Sequence, residues 1–224
     1  MGRNARAWCG VCLGSVGMKD LLLLAADADA EAFFSALISR NDAMGTRPFT
    51  LDTDRHPGRD SGVVQSGPEL LRMRKGEYRR ALLILDHHGS GREQRMDPAA
   101  LSGSLQSRLD QCTWTDNSLV VVLAPEVERW LWSTGAALAR HFEVSQDDMT
   151  TYARRWCKTD GLSLERARVE KPKELFEGVV RGYLKRTLSP RDFARIGDLA
   201  SARALSLEPE FVRLRATLRG WFPR

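Results

Sequence analysis

Three short apolar runs each lead into an acid, and this recurrence restricts the chain to one broad class of fold. Leu21–Ala26 runs into Asp27, Ala81–Leu85 into Asp86, and Leu119–Ala124 through Pro125 into Glu126. Runs this brief, with no polar position inside them, read as strands covered on both faces, as in a parallel sheet flanked by helices. Helical patterns lie between them. Asp27–Glu31 opens a helix with Phe33, Phe34, Leu37 and Ile38 on one face, and Pro98–Leu109 carries Leu101, Leu105 and Leu109 at spacing four. Strand and helix alternate, which predicts α/β with a mainly parallel sheet.

Parallel strands bring their carboxyl ends to one edge, so Asp27, Asp86 and an acid of the Glu126/Glu128 pair are expected to lie near one another. That edge is where ligands bind in open α/β sheets. The central run continues as Asp86-His-His-Gly-Ser-Gly91, a glycine-rich turn flexible enough to admit a ligand. Glu126 and Glu128 are two apart, and positions two apart on a helix do not share a face. One of them at most is expected to join the site directly unless the turn is irregular.

The remaining punctuation sets the other boundaries. Arg47–Asp52 reads as a second strand, and 54–62 (DRHPGRDSG) as a loop that offers His56 and Asp60 to a site. Pro68–Lys75 reads as a helix. From about residue 140 the strand signal ends, and Met149–Trp156, Glu174–Thr187, Pro190–Ala200 and Pro209–Phe222 read as helices. Ser189-Pro190 is a cap followed by proline at the first helical position. Residues 1–17 show no period and read as a disordered lead, with folding beginning near Met18. The chain thus divides into the lead, an α/β part over 18–140 and a helical basic part over 141–224.

Charge follows the same division. Residues 151–224 hold 17 Lys+Arg against 9 Asp+Glu, a net of +8, whereas residues 1–150 hold 17 against 20, a net of −3. An acidic front suits cations and a basic back suits a polyanion, although solvated helix faces give the same counts. Lys171, Lys173, Lys185 and Arg186 are the candidate phosphate contacts. Four cysteines make no secreted disulfide framework, and Cys9-Gly-Val-Cys12 lacks the partner ligands of a zinc site. No apolar run approaches the roughly 18 residues needed to span a membrane, so a soluble cytoplasmic chain is expected.

Clustered carboxylates at strand ends point to a hard cation. Mg or Mn takes one or two protein carboxylates together with waters and phosphate oxygens. Asp27, Asp86, Glu126 and Glu128 are the candidate ligands, Asp27, Glu31 and Asp86 the acids expected to act in catalysis, and His56, His87 or His88 the candidate base, shuttle or further ligand. Acids at strand ends also start helices and form turns, and Asp29 in particular suits the dipole of the first helix. His141, after the tryptophan-rich helix, reads as structural.

The ordered series LLLLAADADAE, HPGRD, ALLILDHHGSGRE, APEVERWLWS, KPKE and LEPEFVRLRATLRGWFP resembles the fourth component of the methylation-associated defence system, a bacterial antiphage operon. The resemblance spans Met18 to the C-terminus and implies a defence role beside other proteins of the operon. The first acidic strands also resemble a diverged toprim domain, an α/β fold with an acid after its first strand and a DxD after a later one. Toprim enzymes use those acids with magnesium to cut or join phosphodiester bonds. By that resemblance Asp27 or Glu31 stands for the first acid and Asp86 for the first Asp of DxD. His88 occupies the third DxD position, where relatives of the defence component more often carry an acid. What is implied is a metal-dependent, nuclease-like component acting on nucleic acid. The alternative is a non-catalytic subunit that binds other defence proteins or DNA through its helical tail.

Overall fold

The computed structural model describes residues 17–224. The expected lead therefore lies, apart from Gly17, outside the described residues, as do Cys9 and Cys12. Four strands, β1 (Lys19–Ala25), β2 (Leu51–Arg55), β3 (Tyr78–Asp86) and β4 (Ser118–Leu123), form one sheet in the order β2-β1-β3-β4. Every neighbouring pair is parallel. The α/β class with a parallel sheet flanked by helices is thus as the apolar runs require.

The run of four leucines has a direct cause. Side chains of a strand alternate between faces, and β1 is a central strand. Leu21 and Leu23 enter one apolar cluster, while Leu22 and Leu24 enter another on the opposite face. The second cluster is completed by α3 (Arg59–Met73), α4 (Pro98–Leu109) and a following π-helical turn, Asp110–Trp114. The first is covered by α1 (Ala28–Ile38), the short α2 (Asn41–Met44) and the helices of the last third: α5 (Glu128–Ser133), α6 (Gly135–Phe142), α7 (Gln146–Asp160), α8 (Leu164–Glu170), α9 (Pro172–Gly182), α10 (Pro190–Leu199), α11 (Ala202–Leu205) and α12 (Pro209–Trp221). Helices on both sides leave neither face of the sheet wet, as a parallel sheet demands.

The helical part shares its core with the sheet. Residues 140 and 141 both lie inside α6, so the sequence-based boundary cuts a helix. Gly197 of α10 sits so close to α1 that a Cβ there would come 2.5 Å from the Phe33 carbonyl oxygen and 3.2 Å from Ala36 Cβ. Among the described residues no helix is long and apolar enough to cross a membrane.

Two expected boundaries are wrong, each for a physical reason. The second strand runs over Leu51–Arg55 and not Arg47–Asp52. Arg47 N–H goes to the Phe222 carbonyl and Pro48 has no N–H to give, so parallel pairing with β1 begins only at Leu51. As an edge strand β2 is polar. Asp52 accepts from the Tyr78 hydroxyl at 2.6 Å, and Asp54 pairs with Arg74. The expected loop at 54–62 ends early, because α3 begins at Arg59 and runs through Gly62, Gly67 and Pro68. Gly62 is tolerated because a Cβ there would lie 2.4 Å from His56 Nδ1. Pro68 has no N–H for the Val64 carbonyl one turn earlier. Arg108 of α4 supplies the donor: Nη1 bonds Val64 O, and Nη2 bonds Gln65 O and both oxygens of Glu69.

Gly197→Ala tests the seam between α1 and α10. The added methyl forces the two backbones apart, and overpacking of this kind costs about 1–3 kcal/mol. Urea unfolding of the variant should show a lower midpoint with an unchanged slope.

Candidate functional site

The strand order reverses between β1 and β3, since the chain goes outward to β2 and then returns past β1. Crevices at such a switch point, outside the carboxyl ends of the strands, collect ligands. Here the crevice is a cavity of ≈ 320 Å³ whose lining includes Asp27, Arg59, Asp60, Asp86, Glu126 and Lys173.

Each acid is held by its local fold. Asp27 is the N-cap of α1, and its Oδ1 accepts from Asp29 N–H at 3.0 Å and Ala30 N–H at 2.8 Å. Asp86 ends β3. Its own N–H donates to Asp60 Oδ1 at 2.8 Å, and its Oδ1 accepts from Val127 N–H at 3.0 Å. Asp60, in the first turn of α3, thereby ties that helix to the end of β3. Beyond the strand ends, His87 N–H bonds Leu123 O and His88 N–H bonds Pro125 O, which fastens the exit of β3 to the exit of β4. The glycine turn is pinned as well. Glu93 Oε1 accepts from Gly89 N–H at 2.6 Å and from Gly91 N–H at 3.2 Å.

Glu126 and Glu128 are both buried, 6% and 4% exposed, and of the two Glu126 lines the cavity. The helical spacing argument does not apply to them. Glu126 lies in the turn before α5, and Glu128 is the first residue of that helix. Glu126 Oε1 lies 3.2 Å from Nδ1 of the exposed His88. Glu128 Oε2 is buried and has no hydrogen-bond partner among the described residues.

These burials displace protons. Burial, followed by the charges of Glu128, Asp60, Asp27 and Glu126, holds the Asp86 carboxyl well above the ordinary range. Burial pushes Glu128 up to about 8 against the opposing pull of Lys173, with Glu126 and Asp27 adding to the rise. Burial also raises Asp60, Asp29 and Glu126. Lys173, half-buried in the first turn of α9, is the cation of this group. Burial works against its charge, yet Glu128, Glu126, Asp86 and Asp27 together leave its pKa raised. It makes no direct ion pair with any described residue, so it balances the acids from a distance.

The other expected residues stand apart. Glu31 is engaged with β2, accepting from Thr53 Oγ1 at 2.6 Å and pairing with Arg55 at 3.0 Å. His56 is buried with both ring nitrogens occupied, Nδ1 accepting from Gly58 N–H and Nε2 lying 3.0 Å from Ser66 Oγ. Burial lowers its pKa, which fits a neutral ring that shapes the start of α3. Lys171 pairs with Asp160 at 2.8 Å. Lys185 and Arg186 are exposed beyond the C-terminal end of α9, and Arg186 lies over the Phe142 ring. They follow the end of α9, where Arg186 N–H donates back to Val180 O at 3.1 Å, whereas Lys173 is in the first turn of that helix. His141 is tied to Asp192 at 2.9 Å.

Sequence reasoning placed Lys173 on a nucleic-acid surface, whereas the fold puts it among the acids. Its signal was available only as the proline-led helix start KPKE. No protein-family model, curated protein or solved structure matches the chain.

The raised carboxyls predict a stability that falls with pH. Glu128 titrates at 4.5 ordinarily and at about 8 in the fold. The folded chain therefore keeps a proton that the unfolded chain has lost. This contribution is fully present below the lower value and is lost as pH rises through the upper one. Glu128→Gln removes it, so the stability advantage of the variant over the wild type should widen between about pH 5 and pH 8.5 in urea titrations.

Proposed function

We propose that the acidic crevice binds a divalent cation, Mg or Mn, and supports phosphodiester chemistry on nucleic acid in a bacterial antiphage system. The observation that carries this reading is the convergence of Asp27, Asp60, Asp86, Glu126 and Glu128 around one lysine at the carboxyl edge of a parallel sheet. The toprim resemblance is supported in outline by an acid after the first strand and another at the end of the third. The defence assignment rests on the ordered series of motifs alone.

The donor chemistry fits a hard cation. The acids offer oxygen ligands, Glu128 has a buried oxygen with no partner, and two carboxyls are raised enough to hold protons that a cation would replace. Among the described residues no three His, Cys, Asp or Glu side chains stand in ion-binding geometry, so the fit is one of donor type and not of a formed shell. Asp86, Glu126 and Glu128 would hold the ion, with Asp27 contributing its oxygen opposite the cap. When bound, such an ion polarises a phosphoryl oxygen and lowers the pKa of a coordinated water.

The chain's own residues do the rest. Lys173 and Arg59 supply positive charge on the cavity wall for phosphate oxygens. His88 is exposed beside Glu126 and is placed to exchange protons with solvent. Lys185 and Arg186 extend the positive surface away from the crevice.

A second reading, a non-catalytic subunit, is favoured by two exposed apolar side chains of the tail. Leu207 is 82% exposed and Val212 50% exposed at the approach to and start of α12. Exposed apolar side chains at this end of the tail offer contact to another protein.

Asp86→Asn separates the readings. The amide keeps the acceptor for Val127 N–H and removes the charge, so the metal-free variant should be at least as stable as the wild type. Calorimetric titration with MnCl₂ should show binding weakened about tenfold or more, and Mn-dependent cleavage of DNA or RNA should vanish with it. Unchanged Mn binding, or phage protection that survives Asp86→Asn but not Leu207→Asp, would favour the docking subunit.

A further inference from the structure

A second cavity, of ≈ 430 Å³, lies away from the acidic crevice, among the helices that cover the first face of the sheet. It opens where α5 bends into α6 and is walled by the start of α7, by α8 and by the α10–α11 junction. Trp132, Met149 and Leu199 give it apolar surface, and Gln146, Thr150 and Ser201 give it polar groups. Its lining contains one charged side chain, Arg168, and no carboxylate.

Arg168 is in an unusual position for an arginine. It is half-buried, lies over the Trp132 ring at 5.5 Å, and forms no ion pair with a described residue. Its Nε is wholly buried and has no hydrogen-bond partner among the described residues. A buried donor without an acceptor is costly, and more so when it belongs to a charged group. Burial shifts its pKa downward against the opposing pull of Glu165 and Cys157. Trp132 is itself fixed from the other side, its Nε1–H donating to Pro172 O at 3.0 Å, so the platform beneath the guanidinium is rigid.

The bend adds donors at the same cavity. Its hydrogen bonds run from Thr134 N–H to Trp130 and Leu131, and from Ala137 and Leu138 N–H to Thr134 O. That leaves Gly135 and Ala136 N–H without a described acceptor, and Thr134 directs its hydroxyl to Leu131 O instead of capping α6. Free N–H groups at a helix start are suited to an anion, and a guanidinium supplies paired donors for a phosphate. Ser133 takes no part, because its hydroxyl is engaged with Glu208 at 2.6 Å.

We propose that this cavity is a separate ligand site, which takes a small molecule through a phosphate group held by Arg168 and the start of α6. The apolar surface of Met149 and Leu199 receives the body of that molecule. The site shares no lining residue with the acidic crevice.

The test is calorimetric titration of the full chain with inorganic phosphate, in EDTA and at matched ionic strength. The wild type should bind in the millimolar range. Arg168→Met, which keeps the stem over Trp132, should bind about tenfold or more weakly. Thr150→Glu, which places a negative charge in the cavity and leaves Arg168 in the chain, should weaken binding similarly and serves if Arg168→Met fails to fold. Asp86→Asn should bind phosphate as the wild type does. No phosphate binding by the wild type, equal binding by the Thr150→Glu variant, or loss of binding in Asp86→Asn would each overturn the assignment.

Discussion

Everything in this fold depends on the double-sided burial of β1 and β3. A parallel sheet has no face that tolerates water, so the chain must supply a layer of helices for each side. Helices α3 and α4 provide one layer. The other draws on α1 and on nearly all the chain after β4, which is why the last third is helical and yet belongs to the same core. At Gly197 that second layer brings α10 close to the backbone of α1.

Sheet and helix class was legible because the central strands carry no polar interruption, and a run such as Leu21–Leu24 has few other uses. The edge strand β2 was misplaced because its residues are half-buried and polar, and its register is set by Pro48 and by pairing with β1. The start of α3 was hidden for a related reason. Gly62, Gly67 and Pro68 are breakers in isolation, and only His56, Leu83 and Arg108, distant in sequence or opposite in the fold, make them acceptable. The strand-end acids were legible from position alone. That Glu126 and Glu128 are both buried was not, since it depends on where α5 begins.

The crevice gathers more negative groups than its one lysine balances. Hydrogen bonds fix several of them: Asp27 is spent in part on a helix cap, Asp60 on the Asp86 backbone, and Asp86 on the Val127 backbone. The remaining strain is relieved by protons on the most deeply buried carboxyls. The same backbone contacts that orient the acids also hold the loops that carry them.

Lys173 also ties the crevice to the last third of the chain. The acids and Arg59 all lie within the first 128 residues, but the lysine among them belongs to α9, which packs on α5 and α7. A chain that ended before that helix would carry the carboxylates without Lys173. The charge balance of the crevice thus depends on the helical layer as well as on the sheet.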